Sequence, residues 1–305
     1  MKKKFKYWLI IGVVLLVILF LFAKNDCLST YEMPVQVEDH KIMVSGLETY
    51  YQTVGDVSKP TLLFMHGWGG RQKNICGKGK ERVISELVKY FYVIAPELPG
   101  LVRSEPPKEK WDMEEYAGFI HAFLQSFNIK KPIVMGQSFG GGVATTYASL
   151  YPENTSGLIL VDASQANRPK NWYYRLRFKW KPLFDNVVGN KYVPLFIKKA
   201  MMSLWLGIPS SHINSQESAT PYLIMTDIET NYNVKTDYRE LKMPVLMIWG
   251  EKDTLVTPLE RAKEIHVEIP QSKLVIIEGG GHLALYTHTA KVVDAIMEWV
   301  EADQE

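Results

Sequence analysis

Ser138 stands in Gly136-Gln137-Ser138-Phe139-Gly140, entered by the apolar run Ile133-Val134-Met135 and left through Gly141-Gly142-Val143-Ala144. The pattern reads as a strand, a tight turn carrying a serine, and a helix. Such a turn holds the serine in a strained backbone conformation and pushes its hydroxyl outward, where it can act as a nucleophile. Gly136 and Gly140 meet a steric demand, because side chains two positions either side of the serine would collide. The helix that begins beneath the serine aims the Phe139 N–H and its positive end at any oxyanion formed there. Taken alone, Gly-x-Ser-x-Gly is a weak signal, with about 0.1 chance occurrences in a chain of this length. Its setting strengthens it, and the other residues that could complete the chemistry strengthen it further.

Upstream, the buried-strand pattern Thr61-Leu62-Leu63-Phe64-Met65 ends in His66-Gly67-Trp68-Gly69-Gly70. A glycine-rich loop lets backbone approach a ligand closely, and the Trp68 N–H is the expected second oxyanion donor beside Phe139. His66 is then expected to brace the loop and not to act as a base. Downstream, Val245-Leu246-Met247-Ile248-Trp249-Gly250 reads as a strand with Asp253 just past its end. Leu274-Val275-Ile276-Ile277 is the next strand, with His282 just past its end. Neighbouring strands of a parallel sheet present their C-terminal ends side by side, so Ser138, Asp253 and His282 are expected to converge. His282 could take the serine proton and return it to a leaving group, and Asp253 could fix the imidazole tautomer. Asp162, which ends the strand Leu158-Ile159-Leu160-Val161, is a rival acid, and Glu251 is another. His288 is a rival base. His40, His121, His212 and His266 follow no strand end in this pattern.

With these residues in view the chain resembles the α/β-hydrolase family, in its single-domain esterase, lipase and haloperoxidase-like group. The matching stretches are His66-Gly67-Trp68-Gly69-Gly70, Pro96-Glu97-Leu98-Pro99-Gly100-Leu101-Val102-Arg103-Ser104, Gly136-Gln137-Ser138-Phe139-Gly140-Gly141, Gly250-Glu251-Lys252-Asp253 and Gly281-His282. They run in family order from about residue 35 to the C-terminus. The resemblance implies a mostly parallel central sheet flanked by helices, a helical lid over the site, and a serine hydrolase that needs no cofactor or metal. One departure is Glu97, where the family's Asp-Leu-Pro-Gly-x-Gly-x-Ser turn carries aspartate. Ser138 occupies the position at which epoxide-opening and halide-displacing members carry aspartate, which argues against both activities. Acyl transfer, peroxide-dependent acyl chemistry and carbon–carbon hydrolysis use the same triad. A non-catalytic binding protein on this fold is the reading from another class, and the intact serine, acid and histidine set argues against it.

The elements that must position these residues alternate. Met33 to Val54 reads as two strands turning at Ser45-Gly46. Then follow a helix over 81–90, a strand over 92–95, a helix over 111–127, the serine turn with its helix to Leu150, and the strand 158–161. This spacing implies parallel βαβ units. The catalytic domain is expected over 33–163 and 239–305, interrupted by a lid or cap insertion over 164–238. Between Ser164 and Lys199 stand nine Lys or Arg and one Asp, a charge of +8, interleaved with Trp172, Tyr173, Tyr174, Phe178, Trp180, Phe184, Tyr192 and Phe196. Basic and aromatic side chains together suit a lipid headgroup layer. A solvated cap with an aromatic inner face is the competing expectation.

The 305 residues, 47% hydrophobic and 22% charged, suit one catalytic domain with additions. A formal net charge of +2 makes no case for nucleic acid. No phosphate loop, dinucleotide fingerprint, Cys-x-x-Cys or His-Glu-x-x-His occurs. Lys2, Lys3, Lys4 and Lys6 precede an uncharged apolar run from Tyr7 to Ala23. As a helix this run would span about 26 Å, close to the thickness of a bilayer's hydrocarbon core. Residues 1–26 are therefore expected to form a single-pass anchor, with the basic end cytoplasmic and the catalytic domain on the outer side. Lys24-Asn25-Asp26 stands where small residues would mark cleavage; a cleaved signal, and hence secretion, is the alternative. Cys27 and Cys76 are the only cysteines and are expected as free thiols. An ester with an apolar acyl chain, such as a monoacylglycerol or another lipid ester, is the expected substrate.

Overall fold

The computed structural model describes residues 37–67, 80–101, 103–109, 111–164, 183–184, 186–187, 192–198, 200, 238–254 and 257–302. The expectations for the anchor at 1–26, Cys27, Cys76, Trp68, His212 and most of the 164–238 insertion lie outside these residues. Among the described residues, which begin at Val37, no helix is long and apolar enough to cross a membrane.

Strands β1 (Glu38–Val44) and β2 (Leu47–Val54) form an antiparallel hairpin. Its two-residue turn is Ser45-Gly46, with φ of 49° and 81°. Positive φ at both positions matches the right-handed twist of the flanking strands. β3 (Thr61–Met65), β4 (Tyr92–Pro96), β5 (Ile133–Gln137), β6 (Gly157–Val161), β7 (Val245–Gly250) and β8 (Ser272–Ile277) are parallel. The described strands make one sheet in the order β1-β2-β4-β3-β5-β6-β7-β8, with β2 antiparallel to β4. From β3 the chain moves one way to β4 and then the other way to β5. The crevice between the ends of β3 and β5 is thus a topological switch point, where open α/β sheets bind ligands. The register pairs Met65 with Gly136 there, so the end of β3 lies beside the end of β5 that leads into the serine turn.

Alternation along each strand explains the two cores. Leu63, Met65, Val134, Leu158, Leu160, Val245 and Met247 face one side. There they meet α2 (Met113–Gln125), α3 (Phe139–Leu150) and α4 (Leu259–Glu268). Leu62, Phe64, Met135, Ile159, Val161, Leu246 and Ile248 face the other side. That side is covered by α1 (Lys80–Leu87), α5 (Ala284–Thr287) and α6 (Thr289–Ala302). Central strands buried on both faces read as unbroken apolar runs, as these do.

The expected helix over 111–127 is shorter than its apolar pattern, because its ends are set by caps. Asp112 Oδ1 accepts the Glu114 and Glu115 N–H groups at 2.9 and 3.1 Å, and Glu115 returns a bond to the Asp112 N–H. Such a capping box is worth about 1 kcal/mol. The 97–104 turn explains the departure at Glu97. Its buried carboxylate accepts the Arg103 N–H at 3.1 Å and Nε–H at 2.9 Å, closing the turn on itself. The Arg103 guanidinium also lies 4.5 Å over the Tyr50 ring and reaches Asp39 at 3.2 Å, tying the turn to the first hairpin. Within the insertion, Phe184 and Lys198 are buried, while Leu183, Tyr192 and Phe196 are exposed.

Candidate active site

Ser138 stands between the last residue of β5 and the first residue of α3, with φ 51° and ψ −119°. A non-glycine residue with positive φ is held against its preference and must be over-determined by its surroundings. Here the Ser138 N–H donates to Val161 O at 3.1 Å, and its carbonyl accepts the Gly141 and Ser164 N–H groups at 2.9 and 2.8 Å. The neighbouring strand β6 and the helix therefore clamp the turn from both sides. The flanking glycines are needed for close approach. A Cβ on Gly136 would lie 2.3 Å from Gly140 O, and one on Gly140 would lie 2.3 Å from Met65 O. Both obstacles are backbone and cannot move aside.

Ser138 Oγ lies 2.9 Å from His282 Nε2, and His282 Nδ1 lies 2.7 Å from Asp253 Oδ2. His282 sits in the loop between β8 and α5, and Asp253 in the loop between β7 and α4. Each is carried to this edge by the C-terminal end of its strand. Asp253 is buried, and His282 keeps 21% of its side chain exposed. An acceptor-only carboxylate beside Nδ1 requires Nδ1 to carry the hydrogen. Nε2 is then the acceptor that faces the serine hydroxyl. Burial pushes the Asp253 carboxyl up. The hydrogen bond and charge of His282, with two bonds from Thr257, outweigh that and hold it below the ordinary carboxylate value.

Asp162 does not touch the imidazole. Its φ of 42° turns the carboxyl back under the sheet edge, where Oδ1 accepts the Gly250 N–H at 2.8 Å. Oδ2 is buried and finds no hydrogen-bond partner among the described residues. Burial is the main reason its pKa is pushed up to about 7; the nearby Asp253 charge adds to it, and the Gly250 N–H and His282 oppose it. Glu251 points elsewhere and accepts the Gly279 N–H at 2.9 Å. His288 closes α5, with Nδ1 2.9 Å from Thr287 Oγ1. His66 is fully buried: its Nε2 accepts the Leu98 N–H at 3.1 Å, so Nδ1–H donates to Gly67 O at 2.7 Å. It ties Gly67, just past β3, to Leu98 in the 97–104 turn. Of the expected oxyanion donors, Phe139 opens α3 directly after the serine and Trp68 lies outside the described residues.

Two side chains at the site escaped the sequence reading. Gln137 Nε2 donates to His282 O at 3.3 Å and so fastens the histidine loop to the serine turn. The Thr257 hydroxyl lies 2.5 Å from Asp253 Oδ2. Neither carries a positional signal in sequence beyond closeness to a motif residue. Among the described residues, no group of three or more His, Cys, Asp or Glu side chains is placed to hold a metal ion.

Known proteins are similar to this chain in sequence and in fold. The chain is 27% identical to Lipase 1 of Psychrobacter immobilis over 261 residues, covering 80% of this chain and 77% of that lipase. Its structure resembles that of a bacterial membrane phospholipase A, with a TM-score of 0.68, 19% identity and full coverage of both chains. It also resembles 2-hydroxy-6-oxo-6-phenylhexa-2,4-dienoate hydrolase from a Rhodococcus species, with a TM-score of 0.66 and 20% identity. That match covers 88% of this chain and 99% of the other. The family model for the alpha/beta hydrolase fold matches residues 60–204 and 166–289, from β3 to the start of α6. A match over most of its length, on the strands and loops just described, makes this chain a member of the α/β-hydrolase family.

Proposed function

We propose that the protein is a serine hydrolase that cleaves carboxylic esters through an acyl-enzyme. The observation that carries this reading is the unbroken chain from Ser138 Oγ through His282 to Asp253, at 2.9 and 2.7 Å. As Ser138 Oγ attacks the acyl carbon, His282 Nε2 takes its proton, and the buried Asp253 carboxylate stabilises the imidazolium. The tetrahedral oxyanion is met by the Phe139 N–H at the start of α3 and, on the sequence pattern, by the Trp68 N–H. Nε2 then protonates the departing alcohol, and the same sequence run with water releases the acid. Preorganised donors of this kind are worth about 10²- to 10³-fold each in turnover.

The substrate in this reading is an ester with an apolar acyl chain. The mixed basic and aromatic make-up of the insertion supports a lipid source, as do its exposed Leu183, Tyr192 and Phe196. A panel of esters graded in acyl length, offered both in solution and in anionic vesicles, tests this. Turnover should rise with acyl length. Changing Arg175, Arg177, Lys179 and Lys181 to Glu should lower hydrolysis of the vesicle-borne esters alone, since each cation near such a surface contributes about 1 kcal/mol. Equal loss on soluble and vesicle-borne esters would contradict the lipid-facing lid.

Residues 1–26 are proposed as an uncleaved anchor that leaves the catalytic domain on the outer side of the membrane. The support is the four-lysine cluster ahead of the run from Tyr7 to Ala23. The full-length protein should stay in the membrane pellet after an alkaline carbonate wash, at its full 34.9 kDa. Release at that mass, or a shortened chain in the medium, would refute the anchor.

A further inference from the structure

Thr257 makes more contacts around the Asp253 carboxylate than the histidine does. Its hydroxyl lies 2.5 Å from Asp253 Oδ2, and its backbone N–H donates to Oδ1 at 3.1 Å. The same hydroxyl lies 3.2 Å from His282 Nδ1 and 3.2 Å from Asp162 O. A hydroxyl has one hydrogen to give, and the full charge and the shortest separation place it on Asp253 Oδ2. Oδ2 therefore takes two donors at once, the Thr257 hydroxyl and His282 Nδ1–H.

The residue is itself held rigidly. Thr257 is 7% exposed, and its carbonyl accepts the Nε1–H of Trp249, a fully buried side chain of β7, at 2.7 Å. Pro258 follows at the N-terminal boundary of α4 and fixes the backbone beyond it. The hydroxyl is thus presented to the carboxylate by the core of the sheet.

We propose that Thr257 is a positioning residue for the Ser138, His282 and Asp253 site, resting on the reading of that site as a catalytic triad. Its two donors fix the carboxylate in the orientation that His282 Nδ1–H needs. By sharing Oδ2, the hydroxyl also lowers the carboxylate's basicity, so the proton stays on Nδ1 and Nε2 stays the base. No bond is made or broken at Thr257. Its effect on the acyl carbon passes entirely through Asp253 and His282.

Thr257→Val keeps the shape and removes the hydroxyl; Thr257→Ser keeps the hydroxyl and removes a methyl. In the full-length protein in mild detergent, Val should lower kcat for p-nitrophenyl butyrate by about 10- to 100-fold with KM unchanged, the size expected for a hydrogen bond to a charged group. Ser should return kcat to within about threefold of the parent. The low-field Nδ1–H proton resonance of His282 should shift or broaden in the Val variant and be preserved in the Ser variant. Should Val fail to fold, Thr257→Ala carries the same expectations. A Val or Ala variant with parental kcat and an unmoved resonance would overturn the proposal while leaving the triad standing. A parent protein with neither ester turnover nor serine labelling would refute the triad reading instead, and the resonance would still decide whether Thr257 sets the environment of His282.

Discussion

Replacing Ser138 by alanine should lower ester turnover by about 10⁴- to 10⁶-fold, the loss typical when a triad nucleophile is removed. The size follows from how singular the position is. Its strained φ of 51° is imposed by the β6 and α3 bonds, which use backbone atoms and survive the substitution. The protein should therefore fold and unfold as the parent does, while binding of substrate stays near parental levels. Loss confined to kcat, with an unchanged thermal midpoint, is the expected pattern. A folded alanine variant retaining parental kcat would show that another group attacks the ester.

Asp253→Asn should depress turnover by roughly 10⁴-fold. An asparagine can present either an oxygen or an NH₂ to Nδ1, and it no longer compels the tautomer that leaves Nε2 free to accept the serine proton. Asp162→Asn should change kcat by no more than a few-fold, because its carboxyl points to Gly250 and not to the imidazole. Its signature should be in stability. With its folded pKa pushed up to about 7 from the ordinary carboxylate value of 3.8, the folded chain holds a proton there that the unfolded chain has lost across this window. That makes stability fall as pH rises from about 4 to about 7, and Asn should flatten this part of the curve. Urea unfolding at several pH values, beside kcat for both variants, measures the contrast. Loss of turnover in the Asp162 variant with activity retained in the Asp253 variant would put the acid at the end of β6.

Much of the fold was legible because central parallel strands are buried on both faces and announce themselves as unbroken apolar runs. Leu62 to Met65, Ile133 to Met135, Leu158 to Val161 and Val245 to Trp249 are such runs, and each is a strand of the sheet. The hairpin turn at Ser45-Gly46 followed from the conformations those residues allow. Choosing between Asp253 and Asp162 was harder, since both follow strand ends. What separates them is the direction of a side chain, set by the backbone twist at Asp162 and the Gly250 N–H beneath it. Thr257 and Gln137 were illegible for a related reason. Gln137 reaches His282 across 145 positions of sequence, and Thr257 turns back onto Asp253 only four positions away, yet no residue pattern marks either bond. The helix expected over 111–127 begins at Met113, because the polar cap of Asp112 with Glu115 decides that boundary.

The most direct test of the account is where a serine-directed fluorophosphonate attaches. Incubated with the full-length parent protein and followed by intact-mass measurement and peptide mapping, the probe should add one phosphonyl group, on the peptide carrying Ser138. It should add none to Ser138→Ala, and labelling should slow sharply in Asp253→Asn. A phosphonyl group on any other residue of the parent, or no adduct in a folded protein, would contradict the assignment of Ser138 as the nucleophile.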